Sequence, residues 1–235
     1  MPYPFAHPAA LLPLAPLMGR LAVPSALVIG SIVPDLWQVL PFGSRPLSHS
    51  GSGLLLFCLP VGLAVYLAFH LLLKNACMAL LPPALAGRVR GFAVTGLPAV
   101  PWLAVLASLV AGALTHLLWD GLTRDHDAQA HSIDWAQHAS TLFGTLVLAW
   151  WLWRKLRGAP LSPPHDREIS PTARAWVWAL LLTVTAASAG WSAYDWPAMN
   201  FDLATLRTIA RTAASAALQG FAVVAVAYCA AWKVR

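Results

Sequence analysis

Histidine and aspartate recur in this chain at the edges of apolar runs. That pairing has two chemical uses, binding a divalent metal ion and handling protons. The sharpest instance is His116 with Asp120, in Leu114–Thr115–His116–Leu117–Leu118–Trp119–Asp120. A spacing of four puts both side chains on one helix face. There they can hold one metal ion, make a His–Asp hydrogen bond, or form a polar cap facing headgroups. Four more candidates stand at comparable places: His7, Asp35 in Val33–Pro34–Asp35, His49 in Ser48–His49–Ser50, and His138 in Gln137–His138.

The remaining histidines carry weaker signals. His70 is expected at an interface, and His165 in a solvated Pro-rich linker. His126 and His131 share an acidic loop with Asp125, Asp127 and Asp134, so either could join a site. Ser31, Ser48, Ser50, Thr115 and Ser140 stand in no G-x-S-x-G nucleophile motif. Neither a phosphate-binding Walker loop nor a dinucleotide fingerprint is present.

The elements that must position these residues are set by composition. Of 235 residues, 59% are hydrophobic and only 10% charged. A water-soluble domain carries about 25% charged residues, so lipid must cover much of this surface. The 12 tryptophans, several at the ends of apolar runs, suit the headgroup layer. The net charge of +6 could suit nucleic acid, but the cations sit in short loops and form no basic helix. No nucleic-acid partner is expected, and membrane lipid is. Cys58, Cys77 and Cys229 form no paired motif and read as small buried residues.

Five segments have the roughly 20 apolar residues that a span needs: Ser52–Leu73, Val100–Leu122, Ala139–Trp153, Ala173–Tyr194 and Leu206–Trp232. Two shorter runs, His7–Met18 and Ser25–Val33, are broken by Gly19–Arg20 and read as a short helical hairpin dipping into the bundle. The fold expected is therefore an all-α, polytopic membrane helix bundle of about five spanning helices plus an N-terminal short helical hairpin. The opening lacks a basic region and is interrupted by Pro8, Pro13 and Pro16, so no cleaved signal peptide is expected. The Pro-rich loop Arg157–Pro171 suggests a boundary between a motif-bearing core, 1–157, and a C-terminal pair of helices, 171–235.

If five spans alternate, Lys74, Arg88, Arg90, Arg154, Lys155, Arg157, Arg167, Arg174, Lys233 and Arg235 share one side. Arg45, Arg124, Arg207 and Arg211 share the other with most of the acids. The positive-inside rule places the ten cations in the cytoplasm. His7, Asp35, His49, His116, Asp120 and His138 then gather at the outer end.

The opening Met1–Ala10, the run Ser25–Ser31 with Pro34–Asp35, Ser48–His49–Ser50, Gly112–Asp120 and Gln137–Thr141 together resemble an uncharacterised bacterial membrane family, domain of unknown function 4184, over nearly the whole chain. That resemblance implies a membrane location and little more; from the spans, a multi-pass protein of a bacterial inner membrane is expected. The sequence is also distantly similar to YdjM-type membrane-bound metal-dependent hydrolases. By position this likeness implies His7, Asp35, His49, His116 and Asp120 as metal ligands. Two departures, Leu36–Trp37 after Asp35 and no paired histidine before His49, count against a two-metal centre. A fainter similarity of the helical His-x-x-x-Asp to zinc-dependent phospholipase C fixes no substrate.

Two functions follow as expectations. The first is a metal-dependent hydrolase, with Zn²⁺ as the ion, acting on an ester or phosphoester of a lipid or envelope precursor at the outer face. His138 and Asp120 are its candidate catalytic groups, and Asp120 could instead orient His116. The second is a non-enzymatic transport or assembly factor with a structural or proton-handling His/Asp cluster. Topology is testable first: in cells lacking the native cysteines, a membrane-impermeant thiol reagent should label Ser132→Cys and spare Ala159→Cys. The reverse pattern would invert the orientation.

Overall fold

In hydrocarbon every backbone N–H and C=O must find a partner within the protein, and a helix satisfies them locally. The computed structural model describes residues 6–91, 97–123, 135–163, 168–194 and 203–234, and all the secondary structure among them is helical. The helices are α1 (Leu11–Met18), α2 (Pro24–Ile32), α3 (Arg45–Ser48), α4 (Leu54–Leu80), α5 (Pro83–Arg90), α6 (Trp102–Thr123), α7 (Trp135–Gly158), α8 (Pro171–Tyr194) and α9 (Leu203–Val234).

Among the described residues four stretches are long and apolar enough to cross a membrane: α4, α6, α8 and Thr208–Val234 of α9. Only 6% of the residues in the apolar windows of α8 and α9 are buried, so much of their hydrophobic surface faces outward. Lipid is the solvent that suits such a surface, and the chain is a membrane protein. The fifth expected span, Ala139–Trp153, lies within α7. That helix has the length, at 24 residues, but not the apolarity. Gln137 and His138 stand near its start, and Arg154, Lys155 and Arg157 near its end. Each of those cations lies over a tryptophan four residues earlier, Trp150, Trp151 and Trp153 respectively.

The chain divides into two compact units, Met1–Ala68 with Val94–Ala159, and Phe69–Ala93 with Pro160–Arg235. Phe69–Ala93 thus shares a unit with the C-terminal helices.

In the first unit the N-terminal hairpin is built by its punctuation. Gly19 turns the chain with φ of 53°, and Pro24, with its fixed φ, opens α2. Ser108 of α6 pins the turn: its hydroxyl donates to Leu21 C=O at 2.8 Å and accepts from Val23 N–H at 2.9 Å. α2 then crosses α6 backbone to backbone. A Cβ on Gly30 would strike the Leu109 carbonyl, and one on Gly112 would strike that of Leu27. Small residues are what allow helices so close an approach. α4 begins with one π turn, Leu54–Cys58, closed by Leu59 N–H on Leu54 C=O, just before Pro60. Such a turn accommodates a proline, which would otherwise clash with the preceding turn.

In the second unit the last turns of α4 present carbonyls that no further turn can satisfy. Side chains of the C-terminal helices supply the donors: Arg174 Nε to Ala79 at 3.1 Å, Trp178 Nε1 to Leu80 at 3.0 Å, and Tyr228 OH to Ala76 at 3.2 Å. Ala79, Leu80, Ile169 and Leu181 form the buried cluster beneath them. That shared core is why Phe69–Ala93 joins α8 and α9. His70, expected at an interface, is buried, with Nδ1 3.2 Å from Lys74 Nζ. Cys58 and Cys229 are buried as expected, whereas Cys77 is exposed.

The α2–α6 crossing gives a stability test. Gly30→Val should lower the unfolding midpoint in detergent by several degrees, since overpacking costs about 1–3 kcal/mol. Gly121→Ala, with nothing within 4 Å of the added carbon, should hold or raise it. Equal behaviour of the two variants would contradict the close crossing.

Candidate metal centre

His7, Asp35, His49, His116 and Asp120 converge in the first unit, brought there by four separate pieces of backbone. His7 opens a short 3-10 turn, His7–Ala10, whose lead residue Ala6 sits against Gly144 of α7 with no room to spare. Asp35 lies in the 3-10 turn Val33–Gln38 that ends α2. His49 follows α3, its N–H on Arg45 C=O at 2.9 Å. His116 and Asp120 are one turn apart on α6.

The segment carrying His49 is held from the side of α4. Cys58 Sγ donates to Ser48 C=O at 3.4 Å, and Gly53 packs against the Leu47 carbonyl where any Cβ would overlap it. Gly43, at φ of 93°, lies under the Phe57 ring. Only glycine fits both requirements there.

Five polar side chains in this place are costly. The side chains of His7, Asp35, His49, His116 and Asp120 are at most 9% exposed. Buried His7 Nδ1 and Nε2, Asp35 Oδ1, His49 Nε2 and His116 Nε2 have no hydrogen-bond partner among the described residues. Each such atom costs about 1–3 kcal/mol. They face one another just beyond hydrogen-bond range. His49 Nε2 is 3.6 Å from both Asp35 Oδ1 and Asp120 Oδ2. His116 Nε2 is 3.8 Å from Asp35 Oδ1, and His7 Nε2 is 3.9 Å from Asp120 Oδ1.

Those separations suit ligands of a shared ion. Hydrogen bonds fall at about 2.7–3.2 Å. Two ligands on tetrahedral arms of about 2.0–2.2 Å stand roughly 3.3–3.6 Å apart. Two overlapping triads, His7–His116–Asp120 and Asp35–His49–His116, bring one donor atom from each member within 4.8 Å of the others. The donor set, three imidazoles and two carboxylates, is one that divalent transition metals accept.

The far side of one ring fixes its protonation. His116 Nδ1 lies 2.8 Å from Ser31 C=O, which can only accept, so Nδ1 carries the hydrogen and Nε2 the lone pair. His49 Nδ1 lies 2.8 Å from Ser48 Oγ, whose hydroxyl also lies 3.3 Å from Arg45 C=O. With the hydroxyl hydrogen on that carbonyl, His49 Nδ1 donates and Nε2 keeps its lone pair. A donated second nitrogen of this kind is the usual support of a metal-bound imidazole. His7 stacks on His116, ring centroids 3.8 Å apart, and His49 meets the same ring edge-on.

Burial, aided by His116 and His49, holds His7 far below the usual imidazole range, at about 3. Burial, with Arg45 and His116, lowers His49 to about 4. Burial pushes Asp35 up from the ordinary carboxylate value. Both histidines are thus neutral near pH 7, the form that coordinates a metal.

His138 is exposed at the start of α7 and belongs to neither triad. His126, His131 and His165 lie outside the described residues. Sequence reasoning missed two participants. The Ser31 carbonyl is a backbone group that no residue type announces. Arg45, counted only as a loop cation, donates from Nη2 to Asp120 Oδ2 at 3.3 Å. Its signal was its place four residues before His49.

The family model described as Domain of unknown function (DUF4184) matches residues 1–232, and the chain belongs to that family. Comparison with curated proteins and with solved structures finds no match.

The neutral burial of His7 and His49 sets a pH dependence for protein stripped of divalent ions. The unfolded chain protonates its histidines near pH 6.5, and the folded one resists until about pH 3–4. Their contribution to stability is complete above about pH 6.5 and is lost as pH falls towards 4. Asp35, shifted upward, acts in the opposite sense, one group against two. The thermal midpoint in chelator should therefore fall between pH 7 and pH 5. A midpoint that rises with acid would rule out two buried neutral histidines.

Proposed function

We propose that this DUF4184 member is a metal-dependent hydrolase of a bacterial inner membrane, acting at the outer face on an ester or phosphoester of a lipid or envelope precursor. The observation that carries this reading is the set of buried Nε2 and Oδ atoms that face one another at 3.6–3.9 Å, three imidazole nitrogens among them without a protein partner. The ion would be held by donors drawn from His7, Asp35, His49, His116 and Asp120, fewer than all five so that one position stays open to water, and Zn²⁺ is an ion such a set accepts. When bound, such an ion supplies Lewis acidity and brings the pKa of water to about 7.

The protein's own part is to orient and to manage the proton. The Ser31 carbonyl and the Ser48 hydroxyl keep the His116 and His49 lone pairs turned inward. Arg45 fixes Asp120 Oδ2, leaving Oδ1 towards His7. In the hydrolysis, the oxygen of water bonds to phosphorus or carbonyl carbon, and the bond to the leaving oxygen breaks. Where the ion is held by the other donors, Asp120 Oδ1 is the acceptor we assign to the proton of water, which ends on the leaving oxygen.

Metal analysis separates this reading from its rival. Protein purified without chelator should carry about one divalent ion per chain. His116→Ala should lose it and His165→Ala should keep it. The ion should also be released in acid, because protons compete for the same lone pairs. A metal-free wild type, folded and indifferent to chelator, would leave the cluster as a structural or proton-handling device.

A further inference from the structure

Among the described residues Arg45 is the one fixed positive charge at this site, and its placement is hard to explain by structure alone. A guanidinium beside a metal centre repels the metal, so its presence there needs a compensating gain. Its tie to Asp120 is a single long contact of 3.3 Å from Nη2. Arginines that serve as structural clamps on carboxylates usually pair through two donors. Among the described residues only that one of its five N–H donors is engaged.

Exposure points the same way. The Arg45 side chain is 28% exposed, whereas that of Asp120 is 5%, His49 9% and His116 0% exposed. Arg45 is therefore the member of the cluster that meets whatever approaches from outside. Its partner oxygen, Asp120 Oδ2, also lies 3.6 Å from His49 Nε2, so the guanidinium touches the edge of the ligand set. Its backbone is held too, since Arg45 C=O accepts from His49 N–H and from the Ser48 hydroxyl.

Charge decides what could approach. Two ionised carboxylates cancel a divalent ion, and the three imidazoles are neutral. Counting the described side chains alone, Arg45 then leaves the loaded site with a net charge of about +1. A neutral carboxylic ester gains little from that charge. A phosphate group gains both the charge and the fork of parallel N–H donors that guanidinium offers.

We propose that Arg45 is the anion-recognition residue of this site, and that the substrate it receives is a phosphate ester rather than a carboxylic ester. This rests on the metal-hydrolase reading above and narrows its substrate class. The phosphate could belong to a lipid headgroup or to a soluble ester, and the chemistry at Arg45 is the same.

The test uses full-length protein in detergent, with metal content measured beside anion binding. Inorganic phosphate is titrated calorimetrically into wild type, Arg45→Gln and Arg45→Lys, with acetate as the control anion. Wild type should bind phosphate and prefer it to acetate. Arg45→Gln should keep its metal and lose phosphate affinity at least ten-fold, and Arg45→Lys should fall between them. Unchanged phosphate affinity in a metal-replete Arg45→Gln would overturn the proposal. If Arg45→Gln loses metal, Arg45→Lys becomes the deciding variant. Loss of metal there too would make Arg45 only a clamp on Asp120 and would also overturn it. A wild type without metal ends the hydrolase reading by itself, and Arg45-dependent phosphate binding by that metal-free protein would still uphold anion recognition. Competition by micellar short-chain phosphatidic acid against soluble glycerol phosphate assigns the source, and stronger displacement by either supports phosphate recognition.

Discussion

The site depends on one crossing. α2 and α6 touch backbone to backbone at Gly30 and Gly112, and nothing larger than glycine fits at either place. The contact brings the Ser31 carbonyl to His116 Nδ1, and that bond turns the other nitrogen inward. Separated by the thickness of ordinary side chains, the helices could not share this hydrogen bond. His116 would then choose its tautomer without reference to the carboxylates opposite. The constraint is steric, and its result is electronic.

The remaining members of the cluster are held by different means, which suits a site drawn from distant parts of the chain. His7 rides on a short turn packed against Gly144. His49 is tied through Ser48 to Cys58 and the π turn of α4. Asp35 ends the hairpin that Ser108 pins. None of these supports is a long-range ion pair. They are hydrogen bonds to backbone and close contacts at glycine, which lose nothing when water is excluded. A cluster of five ionisable groups is expensive in such surroundings, and a multivalent cation held there would offset the cost for all of them together.

Much of this was legible in the sequence. Apolar length located α4, α6, α8 and α9, and Gly19 with Pro24 located the hairpin. His116 and Asp120 were legible because a spacing of four has one geometric meaning on a helix. His7, Asp35 and His49 needed the added idea that helix ends gather. Other features were not legible for identifiable reasons. α7 reads as a span when only its apolar middle is considered, yet its polar start and cationic end weigh against it. Phe69–Ala93 joins the C-terminal helices through carbonyl contacts and a small core that periodicity does not reveal. His70 lies near a helix end, where sequence suggests an interface, but Lys74 one turn later meets it in a buried position. Arg45 looked like an ordinary loop cation because its partner Asp120 is 75 residues away.

The bond from His116 to Ser31 belongs to the main chain at its accepting end. Replacing the serine leaves the carbonyl in place, so a survey of side-chain substitutions at position 31 would register the hydroxyl and pass over the group that matters. The Ser31 hydroxyl has its own partner, the Val28 carbonyl one turn back. Genetic tolerance at this position would therefore be a poor guide to its importance. The feature would be visible instead to chemistry that edits the backbone, such as an ester in place of the peptide linkage, which weakens the carbonyl as an acceptor and leaves every side chain as it was.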